Sequence, residues 1–315
     1  MNVFSNSIDT IEDRCGHEDR RVSVLISTYA RETASNLKES LESIYSQSVP
    51  PDQMVLVVDG SIGEEQEQVI AEYASDCRIA DVIVLRLLSN RGLARALNVG
   101  LEHCTGQYVM RADSDDICEP QRLELQLNYL NDHPDTDVIS TWVREFFVDG
   151  TPDMIKTCPS QNDEIIRALR WRCVIAHPTV LIRTATLRRI GGYSSAFGKL
   201  EDYDLFVRLV VSGAKFYAIP QPLVRMRTSL EQRQRRGGLR LCLNEVRFRM
   251  CCFRLGFLNI AEFVSITSLY VLFRLLGGSL RQYLYRFVRS SDTATTFSQY
   301  PSSLVVSSPI ESELI

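Results

Sequence analysis

The sequence has no apolar stretch of the roughly 20 residues that a membrane-crossing helix needs. Its cleanest apolar run, Phe263 to Phe273, is 11 residues long and is interrupted by Ser265, Thr267 and Ser268. Residues 1–20 are polar and charged, with no apolar core to direct export. None of the nine cysteines stands in C-x-x-C spacing, and their number is odd, so a disulfide framework is not expected. The thiols read as reduced packing residues of a cytoplasmic protein. There is no G-x-x-x-x-G-K-[ST], which excludes a P-loop, and no G-x-G-x-x-G after the first apolar run. That position reads Ser27-Thr28-Tyr29-Ala30-Arg31, which argues against a dinucleotide fold and against the Gly-rich basic loop of a nucleotidyltransferase. No internal repeat and no nucleic-acid-binding module is visible.

What is present is a chain of 315 residues, 45% hydrophobic, enough for one large core with a smaller appendage. The net charge of −4 hides an uneven distribution. Residues 223–290 hold thirteen Arg and no Lys against Glu231, Glu245 and Glu262, a balance of about +10. The body before them is acidic. A cation suits the acidic body and an anionic surface the basic stretch.

Apolar runs at Val22–Ile26, Met54–Val58, Val82–Leu87 and Tyr108–Met110 predict strands. Between them Leu37, Leu41, Ile44 and Tyr45, then Glu64–Tyr73, then Leu93, Leu97, Leu101 and Cys104, predict helices. Such alternation predicts an α/β fold, a mostly parallel sheet with helices on both faces. A helix opening at Pro120, a strand at Val138–Trp142, strands near Val180–Ile182 and Lys215–Ile219, and a helix from about Asp202 follow. Four regions result: a polar leader at 1–20, a catalytic domain at 21–228 (nucleotide-binding half 21–118, acceptor half 119–228), a basic amphipathic helical region at 229–290, and a Ser/Thr-rich tail at 291–315 expected to be disordered.

Ligands of open α/β sheets bind beyond the carboxyl ends of the strands. Asp59 and the cluster Asp113-Ser114-Asp115-Asp116 fall at two such ends. Three carboxylates in four residues repel one another unless a cation or protons relieve them. Oxygen ligands of this kind suit Mg²⁺ or Mn²⁺ with room left for substrate phosphates. The alternative is a solvated acidic loop that caps the helix at Pro120.

The segments VSVLISTYARE, LKESLESIYSQSVPPDQMVLVVDGS, NRGLARALNVGL and RADSDDICEPQRLELQ, in that order, resemble the signature segments of family 2 glycosyltransferases. The likeness spans roughly residues 21–227, and its flavour is similar to bacterial enzymes that build capsular, exopolysaccharide or O-antigen repeat units. The resemblance implies a GT-A fold with Ser27, Tyr29 and Asp59 around the nucleotide base. Asp115 would contact the ribose or a metal, and Asp113 or Asp116 would complete the metal site; which of the two stays open. Tyr29 could equally pack over the sheet end. Glu201-Asp202-Tyr203-Asp204 matches the acceptor-side segment, with Asp202 as the base and Glu201 and Asp204 as neighbours, although carboxylates at a helix start also suit capping. His177 reads as structural or acceptor-positioning. Asn90, Arg91 and Asn98 could touch the pyrophosphate, while Asn98 could instead cap or pack. The implied reaction is metal-dependent, inverting transfer from a nucleotide-diphosphate sugar to a saccharide or lipid-linked saccharide. A nucleotidyltransferase or a catalytically silent sugar- or lipid-binding relative are the other readings.

Beyond the body, Phe273, Leu276, Leu280, Leu284 and Phe287 recur at helical spacing, with Arg274, Arg281 and Arg286 interspersed. That pattern predicts a helix lying on the inner face of the cytoplasmic membrane without crossing it, or else packing on the catalytic domain.

Overall fold

The computed structural model describes residues 21–147, 150–228 and 239–275. The leader at 1–20, the tail at 291–315 and the part of the amphipathic row from Leu276 to Arg289 lie outside the described residues.

The first half alternates as its periodicity predicts. Strands β1 (Val22–Thr28), β2 (Gln53–Asp59), β3 (Asp81–Leu87) and β4 (Tyr108–Asp113) are connected by helices α1 (Ala34–Tyr45), α2 (Glu64–Ala74) and α3 (Leu93–His103). Then come β5 (Ile117–Cys118), α4 (Arg122–Asp132), β6 (Val138–Phe147), β7 (Met154–Lys156) and α5 (Asn162–Trp171). A single 3-10 turn (His177–Thr179) leads to β8 (Leu181–Arg183), α6 (Thr184–Arg189), α7 (Glu201–Val211) and β9 (Phe216–Thr228). Helices α8 (Leu239–Arg254) and α9 (Ile260–Leu275) end the described chain.

The nine strands among the described residues form one mixed sheet ordered β3-β2-β1-β4-β8-β6-β9-β5, with β7 on the side of β6. Strands β1 to β4 are mutually parallel, β8 runs antiparallel to both β4 and β6, and β6 pairs in parallel with β9. Alternate residues of each strand feed opposite faces. Val22, Val24 and Ile26 of β1 join α1, α2 and α4 in one core, whereas Leu25 joins α3, α5, α7, α8 and α9 in the other. Helix α3 lies so close to the sheet that a Cβ on Gly100 would sit 2.4 Å from Leu25 Cδ1 and 2.8 Å from Val57 Cγ2.

β9 continues nine residues past Ile219, through Pro220 and Pro222, where the sequence predicts an end. The register shifts on either side of Trp142 explain it: a bulge frees the ladder positions that proline cannot fill with an N–H. This long strand carries the chain back beneath the acidic cluster, where Ile117 and Cys118 of β5 pair with Arg225 and Val224.

The C-terminal helices pack on the body. Ile266 of α9 is fully buried, with Phe263 and Tyr270 against the same core, while Ile260, Val264, Leu269 and Leu272 face outward. Among the described residues no helix is long and apolar enough to cross a membrane.

Candidate active site

Adjacent strand ends assemble the nucleotide side. Parallel register sets Ser27 between Val57 of β2 and Asp113 of β4, so the β1 loop and the acidic cluster are neighbours. Tyr29 follows in that loop, 41% exposed and so available for ring stacking. Its carbonyl accepts from Gln66 Nε2 at 3.1 Å. Asp59 is buried at the end of β2, and its two carboxylate oxygens accept the N–H groups of Arg91 (2.7 Å) and Gly92 (2.8 Å). Asn90 donates to the Asp59 carbonyl at 3.2 Å. Asp59 therefore shapes the turn before α3, and each oxygen keeps a second lone pair for a base N–H.

The acidic cluster is a tight turn in which the Asp116 N–H reaches the Asp113 carbonyl at 3.3 Å and Ser40 Oγ donates to the same carbonyl at 2.7 Å. Its three carboxylates do not converge: among the described residues no three His, Cys, Asp or Glu side chains are arranged around one ion. Asp113 pairs with the fully buried Arg111 of its own strand. Asp116 is turned inward, accepting the Arg227 N–H at 3.0 Å, and burial followed by the charges of Asp113 and Asp115 raises its pKa well above the usual range. Asp115 accepts from its own backbone, and burial, then Asp113, pushes it up to about 7. A divalent ion at Asp115, with Asp113 beside it, would relieve that penalty, so the donor set fits one or two protein ligands completed by phosphate oxygens.

The segment that the sequence assigns to the acceptor side feels the charge of this cluster through Glu201. The first turn of α7 carries Glu201, Asp202 and Asp204. Asp202 Oδ1 accepts the Tyr203 N–H at 2.7 Å, and Cys173 Sγ lies 4.0 Å from Oδ2. Glu201 is pushed up to about 7 by burial, then by Asp202 and Asp113. Asp204 is buried and paired with Arg208 of the same helix at 2.7 Å. His177 is buried with its ring edge-on to Tyr193 (5.4 Å between centroids). Burial and then Arg111 lower its pKa to about 3, so the ring is neutral at physiological pH and cannot act there as a proton donor in cationic form.

Arg111, His177, Tyr193 and Glu201 share one electrostatic neighbourhood with Asp113. Each has a buried polar atom without a hydrogen-bond partner: Arg111 Nε, His177 Nε2, Tyr193 Oη and Glu201 Oε2. Native proteins satisfy most such atoms, so four in one neighbourhood mark a place built for a polar ligand.

The family model for glycosyl transferase family 2 matches residues 23–189, more than half of the chain. The chain belongs to that family. It is 35% identical over 271 residues to an Escherichia coli UDP-Gal:alpha-D-GlcNAc-diphosphoundecaprenol beta-1,3-galactosyltransferase, covering 85% of this chain and 96% of that protein. It is 32% identical over 266 residues to the amylovoran biosynthesis glycosyltransferase AmsE of Erwinia amylovora, covering 84% and 97%. Among solved structures, S. aureus TarS 1–349 in complex with UDP-GlcNAc aligns with a TM-score of 0.60 at 18% identity over 80% of this chain and 71% of that one. The mannosyltransferase PcManGT from Pyrobaculum calidifontis, in complex with GDP-Man and Mn²⁺, aligns with a TM-score of 0.57 at 18% identity over 89% and 81%. These two likenesses show the GT-A fold.

Two residues of this glycosyltransferase's site escaped sequence reasoning. Arg111 left one signal, a charged residue inside the apolar strand YVMRAD. Arg227 left none: its backbone N–H holds Asp116, its Nε donates to the Asp115 carbonyl at 3.2 Å, and its Nη2 reaches Glu39 at 2.7 Å. Asn98 does not point to a phosphate. Its side chain donates to the Tyr193 carbonyl and accepts the Tyr193 N–H, each at 2.8 Å, tying α3 to the Gly-Gly-Tyr turn of the acceptor half.

Proposed function

We propose that this family 2 glycosyltransferase moves a sugar from a nucleoside-diphosphate donor to a hydroxyl of a lipid-linked saccharide, in the assembly of a surface polysaccharide. The observation that carries this reading is the set of unpartnered buried polar atoms around Asp113, between the nucleotide-side turn and the first turn of α7. The names of the two bacterial relatives support the acceptor class and the pathway class.

In this reading Tyr29 stacks on the nucleotide base, and Asp59 and Ser27 line its edge. Asp115 and Asp113 would hold Mg²⁺ or Mn²⁺ beside the donor diphosphate, and the ion would supply Lewis-acid stabilisation of the leaving group's charge. Asp202 takes the proton of the acceptor hydroxyl as its oxygen attacks the anomeric carbon, and the nucleoside diphosphate departs from the opposite face. A single displacement inverts the anomeric configuration. Neutral His177 and Tyr193 orient the sugar or acceptor hydroxyls by hydrogen bonds rather than by proton transfer.

The outward row Ile260, Val264, Leu269 and Leu272 on α9, with exposed Trp171 at the adjoining end of α5, supports peripheral contact with an anionic membrane at its cytoplasmic face. Arg170 at that end of α5 binds Glu262 of α9 at 2.8 Å, which sets Trp171 beside the same surface.

The deciding experiment is nucleotide release from a panel of UDP-, GDP- and dTDP-sugars, with and without EDTA. One donor should be cleaved in a metal-dependent manner. A panel with no metal-dependent turnover would refute the enzymatic reading.

A further inference from the structure

Arg249 of α8 is only 1% exposed, in a helix that the sequence reads as part of an appendage. Its guanidinium spans two helices of the catalytic domain. Nη1 donates to the Arg170 carbonyl at 3.2 Å and to the Tyr203 hydroxyl at 3.0 Å, and Nη2 donates to the Trp171 carbonyl at 3.3 Å. Arg170 and Trp171 are the last residues of α5, so the guanidinium fills acceptors that a helix end leaves open. The Tyr203 hydroxyl extends the chain of bonds by donating to the Leu169 carbonyl at 2.5 Å. The rings of Tyr203, Phe248 and Tyr270 lie 5.1, 5.8 and 4.8 Å from the guanidinium carbon.

Helix packing alone does not call for this arrangement. Desolvating a guanidinium is costly, and an apolar side chain of similar size commonly packs two helices at least as well. The direction of the bonds is the informative part. Tyr203 directly follows Asp202 in the first turn of α7, and its N–H is the one that Asp202 Oδ1 accepts. A side chain that fixes Tyr203 against the end of α5 also fixes the peptide that orients the Asp202 carboxylate.

We propose that Arg249 is a positioning residue for the acceptor-side base, holding the first turn of α7 through Tyr203. The proposal rests on the reading of Asp202 as that base. It makes α8 part of the catalytic assembly. Because Tyr270 of α9 closes one face of the guanidinium, the helix whose outer side is offered to the membrane touches the same clamp.

Full-length Arg249→Met, Arg249→Lys and Tyr203→Phe test it alongside Asp202→Asn. Hydrogen exchange over residues 200–206 needs no substrate. It should quicken by about tenfold or more in Arg249→Met, less in Tyr203→Phe, and return toward wild type in Arg249→Lys, while β1 to β4 stay unchanged. With UDP-galactose and a synthetic lipid-diphospho-N-acetylglucosamine, kcat per folded molecule should fall by about tenfold in Arg249→Met, with the donor KM within about twofold. Arg249→Lys should recover part of the loss, since an ammonium reaches fewer of the acceptors. Wild-type exchange over 200–206 in both Arg249→Met and Tyr203→Phe overturns the proposal. So does a loss spread evenly over kcat and donor KM that merely follows a lowered Tm. Full turnover in Asp202→Asn would remove the base reading alone, and the exchange data would still decide whether Arg249 holds α7.

Discussion

Asp59 and Gly92 are joined across the mouth of the sheet: a carboxylate oxygen at the end of β2 accepts the glycine's N–H at 2.8 Å, just before α3 begins. Gly92 takes a φ of +84°, a conformation most residues avoid, and the companion bond from Arg91 fixes the same turn. Asp59→Ala should therefore cost stability as well as nucleotide affinity. Two partly buried N–H groups would lose a charged acceptor, about 2 kcal/mol by general measures. Chemical denaturation should show that loss, and calorimetry should show weaker binding of the nucleoside diphosphate that the donor panel identifies. Unchanged stability would mean that the turn is held by other contacts.

Asp115 gives a pH dependence with a definite sign. Its folded-state value, about 7, stands above its ordinary 3.8, so between the two the folded protein keeps a proton that the unfolded chain has released. This group's contribution to stability therefore falls as pH rises from about 4 to 7. A divalent ion competes with that proton. The rise in Tm produced by Mn²⁺ with the nucleoside diphosphate that the donor panel identifies should be larger at pH 8 than at pH 6, and Asp115→Asn should remove the difference. Equal shifts at both pH values in the wild type would count against Asp115 as a ligand.

Asp202→Asn should leave nucleotide binding within about twofold while lowering kcat by about 10²-fold or more, the usual scale of general-base loss. Stopped turnover assays beside UDP calorimetry separate the two effects. Activity within about threefold of wild type would move the base to Glu201, whose carboxyl shares the Asp113 neighbourhood.

On α9, Val264→Glu with Leu272→Glu should weaken sedimentation with phosphatidylglycerol vesicles and leave Tm nearly unchanged, because both side chains face outward. Ile266→Glu should do the reverse, lowering Tm by burying an unpaired charge in the core. If the outward pair has no effect on vesicle binding, the apolar row does not meet lipid.

The first half of the fold was legible because its signals are local. Leu37, Leu41 and Ile44 report a helix face, and MVLVV reports a strand buried on both sides, whatever the rest of the chain does. The second half depends on pairings between distant segments. Nothing near Pro220 announces that a bulge at Trp142 will let β9 run on to Thr228. The site divides in the same way. Ser27, Asp59 and Asp113 stand at strand ends that periodicity locates, and register then makes Ser27 and Asp113 neighbours. Arg227 stands more than a hundred residues from the aspartates it braces, so its role exists only once the sheet has formed. The sequence offers Asn98 either to a phosphate or to packing, and only the folded contact shows that its partner is Tyr193.

That contact has a mechanical consequence. Asn98 belongs to the helix that follows the nucleotide strands, and Tyr193 to the turn that leads toward Asp202; two hydrogen bonds and one continuous sheet weld them. A Cβ on neighbouring Gly192 would come within 2.4 Å of Asn98 Oδ1, so the joint tolerates no wedge. The two halves proposed to hold donor and acceptor are thus a single anvil rather than a pair of jaws. With Asp202 as the proposed base, its distance from the leaving group would be set when the chain folds.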